Sequence, residues 1–139
     1  MFKETIKYTD FNGDEREEDF YFNLTRAEFM RLDTRYQDGL QGMIEKIIKS
    51  KVRKDIWDMF ELLIGASYGI KSEDGRRFMK SDEITKSFTE TEAYSELIDL
   101  FSRDADAASR FVNNLVSGID SKVSEARKSN IPAPDFNRH

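Results

Sequence analysis

The chain has 139 residues, with 22 Lys and Arg against 27 Asp and Glu, one His and no Cys. This length fits one domain. The net charge of −5 argues against a protein that coats DNA or anionic lipid. The lack of Cys excludes disulfides, thiolate zinc sites and Cys nucleophiles. Eleven Phe and five Tyr are too many for a disordered chain, although charged residues make up 35% of the sequence.

No segment has the pattern of a membrane span or of a signal peptide. The longest uninterrupted apolar stretch runs from Leu62 to Ala66, far short of the roughly 20 residues needed to cross a bilayer. The first four residues, MFKE, contain no apolar signal-peptide core. We therefore expect a soluble protein of the cytoplasm with no membrane partner.

Residues 2–24 are predicted to form a β-hairpin around the Asn12-Gly13 turn, because Asn and Gly tolerate positive φ. When the numbers of paired residues sum to 26, Ile6 lies opposite Phe20 and the apolar side chains share one face. A slip of one residue would scatter the aromatic side chains over both faces, so we predict the first register. Since a lone hairpin is marginal in water, its aromatic face should pack on helices.

Three helices are predicted to follow the hairpin. Thr25-Arg26-Ala27-Glu28 has the pattern of a capping box, so a first helix begins near residue 25 and ends in the mid-thirties. Apolar residues recur at helical spacing on a second helix, at positions 40, 43, 44, 47 and 48. A third helix over residues 53–68 is apolar around most of its circumference, so we expect it in the centre of the fold, with Gly69 as its left-handed cap.

The second half of the chain predicts a very short hairpin and two more helices. A turn over residues 72–75 is flanked by apolar residues, which favours the hairpin. Ser81 caps a helix that runs to about Phe88, and Thr89-Glu90-Thr91-Glu92 is a capping box that begins a longer helix. The residues of this longer helix that should face inward are Ala93, Tyr94, Leu97, Ile98 and Phe101.

A last helix is predicted to begin at Ser102 or Asp104 and to end at Gly118. The predicted fold class is therefore mainly α: a single helical domain of about five or six helices with an N-terminal β-hairpin over residues 2–24 as a minor β component. The domain covers residues 1–118. Beyond it the apolar period fades, and residues 119–139 are expected to be a flexible C-terminal tail.

The sequence contains no constellation of residues that would support catalysis. The only histidine is His139, in the predicted tail, so a Ser-His-Asp arrangement or a histidine metal site is nearly excluded. The run from Asp10 to Asp14 departs from a calcium loop, because its Gly stands at the fourth position and Tyr21 occupies the twelfth. Glycine-rich phosphate loops do not occur. We expect no enzyme activity, no metal site and no cofactor.

Two charged segments offer candidate interaction surfaces. From Lys46 to Lys54, five cations occur in nine residues without an acid, which fits a solvated helix junction better than a nucleic-acid site in a chain with a pI of about 5.0. From Asp82 to Asp104, seven acids stand against two bases, a local balance of −5. This acidic segment either aids solubility or attracts basic partners, and its position in the sequence leaves both open.

Several stretches, taken in order, resemble a known family. They cover residues 20–28, 67–78 and 91–97, with the sequences FYFNLTRAE, SYGIKSEDGRRF and TEAYSEL, followed by DADAA at 104–108. Over about residues 20–118 the chain is similar to the tail assembly chaperones of long-tailed, siphovirus-like bacteriophages. The second and third stretches are the most specific parts of this resemblance.

The resemblance implies a chaperone that is absent from the virion and binds the tape-measure protein, a long, helical and apolar chain. Such a chaperone keeps the tape-measure protein soluble, helps bring tail-tube protein subunits, and leaves as the tube polymerises. It acts in the host cell cytoplasm without enzymatic activity, and neither nucleic acid nor a membrane is a partner. Self-association into a homo-oligomer stays open.

The partner-binding surface is predicted near the acidic segment, because the helix there carries apolar residues on a wide arc. The expected contacts are Tyr94, Leu97, Leu100 and Phe101, and the alternative is that these residues only close the core. Two other functions also stay open. The first alternative is a structural head–tail or tail component, which would be found in purified particles at fixed copy number. The second is a small DNA-binding regulator that uses residues 46–54 and binds with a steep salt dependence.

Overall fold

The computed structural model describes residues 1–116. This part of the chain combines a four-stranded antiparallel sheet, in the order β1-β2-β3-β4, with six helices. The strands are β1 (Phe2–Thr9), β2 (Glu15–Phe22), β3 (Tyr68–Lys71) and β4 (Phe78–Met79). The helices are α1 (Arg26–Asp33), α2 (Gly39–Ser50), α3 (Arg53–Ser67), α4 (Asp82–Thr89), α5 (Glu92–Arg103) and α6 (105–116).

The mainly helical fold with an N-terminal hairpin is confirmed, and so is the short second hairpin of β3 and β4. The sheet that joins the two hairpins was not predicted. It forms because β2 pairs with β3, placing Phe22 opposite Tyr68. The predicted helix end at Gly118 and the predicted tail over residues 119–139 lie outside the described residues, so the division of the chain at 118 stays a prediction.

The register predicted for the N-terminal hairpin is wrong by two residues. The numbers of paired residues sum to 24, with Phe2 opposite Phe22 and Ile6 opposite Glu18, so Ile6 does not lie opposite Phe20. A shift of two residues leaves the side chains on their predicted faces, and Ile6 and Phe22 are both buried. The burial pattern therefore selects which face is apolar but does not select between registers two residues apart.

The turn of the first hairpin selects the observed register. The Oδ1 atom of Asp10 accepts hydrogen bonds from the backbone N–H groups of Asn12, at 2.9 Å, and Asp14, at 3.0 Å. Its Oδ2 atom accepts a third hydrogen bond from Nε of Arg16, at 2.6 Å. Gly13 adopts a φ of 85°, which an L side chain rarely adopts. These contacts close a five-residue turn over residues 10–14 and leave Thr9 opposite Glu15.

Two of the predicted helix starts are confirmed at the level of individual hydrogen bonds. Thr25 and Glu28 form the complete capping box of α1, and the hydroxyl of Ser81 accepts a hydrogen bond from the N–H of Ile84 at the start of α4. Of the two alternatives for the last helix, Asp104 is the cap: its Oδ1 accepts from the N–H groups of Asp106 and Ala107, at 3.0 and 3.1 Å.

The capping box predicted at Thr89 is wrong. Helix α4 continues through Thr89, and α5 begins at Glu92, with Thr91 as its N-cap. The Thr91 hydroxyl accepts a hydrogen bond from the N–H of Tyr94, at 3.4 Å, and donates one to the carbonyl of Phe88, at 2.7 Å. Because one hydroxyl serves both helices, the two can meet with only a two-residue link while the Phe88 ring stays buried.

Gly69 is not the left-handed cap that the sequence predicts. Helix α3 runs directly into β3 through an extended Tyr68, and Gly69 is a strand residue opposite Tyr21. A Cβ at this position would lie 2.6 Å from a ring carbon of Phe78 and 2.8 Å from the carbonyl oxygen of Met79. Glycine is required at this position because another strand approaches its backbone closely, and not because of its φ angle.

The core is a cluster of aromatic rings between the sheet and the helices. The ring of Phe111 on α6 lies 5.5 Å from Phe2, 5.5 Å from Phe22 and 5.0 Å from Phe101, measured between ring centroids. The ring of Phe88 on α4 stacks on Tyr68 at 4.6 Å. The aromatic face of the hairpin therefore packs on helices, as its sequence pattern predicts.

Lys80 connects three segments at the edge of this core. Its Nζ donates hydrogen bonds to the carbonyls of Asn23, at 2.6 Å, and Ala66, at 2.8 Å, and to Oε1 of Glu28, at 2.7 Å. Burial lowers the pKa of Lys80, although Glu28 opposes this effect. Burial also raises the pKa of Glu28, but the hydrogen bonds from Lys80 and Thr25 outweigh it and leave the pKa below its ordinary value.

Candidate partner-binding groove

Helix α3 has one side in the core and one side open to solvent. Met59 and Leu63 are buried, as expected for a central helix, but Trp57 is 50% exposed. Ile56 and Phe60 are half-buried beside it. The apolar pattern over most of its circumference predicts a place in the centre of the fold, and the structure leaves one apolar stripe of the helix accessible.

Two adjoining hollows lie along this open side. The first, about 310 Å³ in volume, lies between α3 and α5 and includes Trp57 and Ile98 in its lining. The second, about 350 Å³, lies between α2, α3 and α6 and includes Ile48 and Val112. Both hollows share Ile56, Phe60 and Phe101, so these residues form the wall between them. We call the two hollows together the apolar groove.

Exposed apolar side chains surround the apolar groove. Ile48 is 49% exposed at its α2 side, and Val52, at the junction of α2 and α3, is 47% exposed. With Trp57 they account for three of the six large apolar side chains that are exposed in residues 1–116, the others being Met1, Phe11 and Ile70. Clustered exposure of this kind is typical of interaction sites, whereas scattered exposed apolar residues are ordinary.

The four residues predicted to bind a partner all lie on α5, but the structure places them in different environments. Leu97 is 1% exposed and Phe101 is 8% exposed, so both are core residues. Tyr94 packs edge-on against Phe88, and burial raises its pKa above the ordinary value. Leu100 is half-buried. Only Phe101 lines the apolar groove, and partner binding by these four residues stays a prediction.

The electrostatic surroundings of the apolar groove are set mainly by the basic cluster. We use this name for Lys46, Lys49, Lys51, Arg53 and Lys54, all exposed at the junction of α2 and α3. Arg53 itself lines the groove, and Lys51 adopts a left-handed φ of 57° at the end of α2. Of these five cations, only Lys54 has a carboxylate of residues 1–116 within ion-pair distance: Asp58, at 2.7 Å.

The carboxylates of the acidic segment do not line the apolar groove, although Ile98, Phe101 and Ser102 of the same segment do. Its carboxylates at positions 82, 83, 90, 92, 96 and 99 are on exposed residues of α4 and α5 or of the link between them. Asp99 pairs with Arg103 on its own helix, at 2.9 Å. The charged residues that do line the apolar groove are Arg53 and Glu45.

A larger hollow of about 580 Å³ lies between α1, α3 and α4, and six of its thirteen lining residues are charged. They include Glu28, Arg31, Arg35, Glu61 and Lys86. An apolar partner would have to remove these groups from water, which is unfavourable unless each one is paired. The smaller apolar groove is therefore the better candidate for a protein contact.

Within residues 1–116, no three His, Asp or Glu side chains come together in a way that would hold a metal ion. No helix in the same range is long and apolar enough to cross a membrane. No buried polar side-chain atom among the described residues lacks a hydrogen-bond partner. The distinctive feature of the described surface is therefore an open apolar groove beside a basic cluster, an arrangement suited to holding another polypeptide.

Fold and groove together define a small, mainly helical domain with an open apolar groove on its surface. A family model described as a phage tail assembly chaperone matches residues 1–132, and the chain belongs to that family. The resemblance drawn from residues 20–118 is thus confirmed and extends through the N-terminal hairpin. Membership implies phage tail proteins as partners and a role in infected cells. No curated protein and no solved structure matches the chain.

Proposed function

We propose that this protein binds the tape-measure protein of its phage, keeps it soluble until the tail tube forms, and assists polymerisation of tail-tube protein around it. It would act in the cytoplasm of the infected cell as a stoichiometric binder, without turnover and without a cofactor. Membership of the tail assembly chaperone family supports the role, and the apolar groove is the observation that supports the mechanism.

The mechanism follows from the chemistry of the groove. A long helical chain with exposed apolar stripes aggregates because each stripe buries itself against another copy. A groove lined by Ile56, Trp57 and Phe60 offers the same burial within a small complex instead. At roughly 25 cal/mol per Å² of apolar surface removed from water, even a few side chains inserted into the groove would stabilise the complex. The exposed charges elsewhere on the chaperone then keep the complex in solution.

Co-expression with the tape-measure protein tests the proposal. We expect the tape-measure protein to be soluble and to co-purify with the wild-type chaperone, and to be largely insoluble without it. The paired change Ile48→Glu and Trp57→Glu should abolish this effect, because it places two carboxylates in the apolar groove. A tape-measure protein that stays insoluble with the wild-type chaperone would contradict the proposal.

Two control variants locate the contact. Phe11→Glu introduces the same charge at an exposed aromatic residue in the hairpin turn, 76% exposed, and should leave co-purification unchanged. Leu100→Asp tests the surface predicted on α5, because it disturbs that arc without lining the apolar groove. Each variant is compared with the wild type by thermal unfolding, so that a loss of folding is not mistaken for a loss of binding.

Purified virions should lack the protein, whereas a structural component would be present at fixed copy number.

A further inference from the structure

The walls of the apolar groove restrict the backbone conformation of its occupant. Helices α2, α3, α5 and α6 form these walls, and their backbone N–H and C=O groups are used within the helices. An extended segment placed between them would find no sheet edge to pair with and would leave its own backbone groups without partners. A helix satisfies its backbone internally and packs its side-chain ridges between those of the walls. The geometry therefore favours a helical occupant.

Charge restricts the occupant further. The basic cluster lies where α2 meets α3, beside the groove residues Ile48 and Trp57. Four of its members have no carboxylate partner among residues 1–116: Lys46, Lys49, Lys51 and Arg53. The carboxylate that does line the groove, Glu45, lies one turn away on α2 and is 3.5 Å from the amide of Gln41. This end of the groove is therefore positive in a chain whose net charge is −5.

We propose that the apolar groove binds a single amphipathic helix of a partner chain whose apolar stripe is bordered by carboxylates that reach Lys49, Lys51 and Arg53. The inference rests on the proposed function, because the partner helix is taken to be a segment of the chain that the chaperone protects. It adds a selection rule: among the amphipathic segments of that partner, those flanked by acids bind, and those flanked by Lys and Arg do not.

Trp57 provides a local probe for the test, because it is the only Trp in the chain and lies half-exposed in the groove. The full-length protein is titrated with two designed helical peptides of about 18 residues, or five turns, that contain no Trp. Both peptides carry the same Leu stripe, bordered by Glu in one and by Lys in the other. We expect the Glu peptide to shift Trp57 emission to shorter wavelength and to bind at least tenfold more tightly, with the ratio falling as salt is raised.

Charge-reversal variants assign the preference to the basic cluster. The double change Lys49→Glu and Arg53→Glu should remove or invert the preference between the peptides. The matched double change Lys3→Glu and Lys71→Glu alters the net charge by the same amount on the sheet and should leave the preference intact. Equal affinity for both peptides, or binding of neither, would overturn the inference.

Other occupants of the groove give distinct results. In the free protein we expect acrylamide to quench Trp57 readily. Protection that grows with protein concentration would assign the groove to a second copy, and protection independent of concentration would assign it to the chain's own residues 117–139; either result overturns the inference. A DNA duplex that displaces the Glu peptide would assign the basic cluster to nucleic acid and also overturn it.

The co-expression experiment separates this inference from the proposed function. If the tape-measure protein is solubilised but the two peptides bind equally, the function stands and the acidic selection rule fails. If the Glu peptide binds selectively but the tape-measure protein stays insoluble, the groove chemistry stands and the partner is a different chain. The two proposals therefore fail on different measurements.

Discussion

Substitution of Lys80 should lower the free energy of unfolding more than substitution of an exposed lysine. Its ammonium group joins the segment before α1, the end of α3 and the segment before α4 through the carbonyls of Asn23 and Ala66 and the carboxylate of Glu28. The Lys80 side chain is only 16% exposed, so water would replace its ammonium group poorly at the two carbonyls, whereas the Glu28 side chain is 40% exposed.

We predict that Lys80→Met, which keeps most of the aliphatic stem, lowers the free energy of unfolding by about 2 kcal/mol, because it leaves two carbonyls without their donor and leaves the Glu28 carboxylate with only its capping-box hydrogen bond from Thr25. The matched control is Lys54→Met. Lys54 also pairs with a carboxylate at 2.7 Å but is 82% exposed, so water screens the pair and its loss should leave the free energy of unfolding nearly unchanged. Urea denaturation measures the change in the free energy of unfolding for both variants. Equal changes would contradict a stabilising role of the Lys80 hydrogen bonds.

Two glycines near the end of α3 should respond to alanine in opposite directions. Gly69→Ala forces a Cβ against the Phe78 ring and the Met79 carbonyl, and should lower stability by roughly 1–3 kcal/mol. Gly65→Ala meets no atom within 4 Å inside a helix and should raise stability by about 0.5–1 kcal/mol, since Ala favours the helical backbone. Thermal unfolding of the two variants gives the signs. A stabilising Gly69→Ala would contradict the close approach of β4.

At the scale of elements, α6 is part of the core although it is the last element described. Phe111 is fully buried and contacts rings from β1, β2, α3 and α5. Phe111→Ala should therefore lower the free energy of unfolding by about 3–5 kcal/mol, because it removes a large side chain from a closely packed cluster. Asn114→Ala, on the exposed side of the same helix, should change it by less than about 0.5 kcal/mol.

Chemical denaturation followed by circular dichroism measures this difference. A small effect of Phe111→Ala would mean that α6 docks only weakly on the hairpin. The result also bears on the proposed function, because α6 forms one wall of the apolar groove. A variant that loosens α6 should weaken partner binding even though Phe111 itself does not line the groove.

The elements differ in how well the sequence predicts them. The starts of α1 and α4 were predicted correctly at Thr25 and Ser81, because a cap is a contact between residues two or three apart and its pattern is fully contained in the sequence. The start of α5 was predicted wrongly, because the hydroxyl groups of Thr89 and Thr91 are both able to cap a helix. Continuing α4 through Thr89 buries Phe88, and that advantage depends on residues far away in the chain.

The register of the first hairpin shows the same limit. Alternation of apolar and polar residues distinguishes one face from the other, so it rejects a slip of one residue but not a slip of two. The choice between the remaining registers was made by the side chain of Asp10, which holds a five-residue turn through three hydrogen bonds.

At the scale of the whole molecule, the aromatic cluster connects the sheet to the helices, so these parts should unfold together. Ring contacts of Phe111 with Phe2, Phe22, Phe60 and Phe101 span four other elements. We predict that Trp57 fluorescence, near-ultraviolet and far-ultraviolet circular dichroism give coincident transitions in urea, as for a two-state domain. An earlier fluorescence transition would mean that the α2–α3 junction opens separately from the core.

Separate opening at that junction would also change the mechanism proposed for binding. The apolar groove has the same walls before and after binding only if α2 and α3 stay packed. If the junction opened first, the partner helix would bind to a rearranged surface, and the affinity would be lowered by the population of that surface. The coincidence of the three transitions is therefore a check on a preformed groove as well as on cooperativity.

The sequence by itself determined the order of the helices, the N-caps Thr25 and Ser81, the apolar face of the hairpin and the family resemblance. These features depend on residues close together along the chain, or on residue types alone. The tertiary structure decided the hairpin register, the pairing of β2 with β3, the role of Gly69, and which side of α3 stays open. Each of these depends on which distant segments pack together, because burial of Trp57 or Leu97 is a property of their neighbours in space rather than of their own helices.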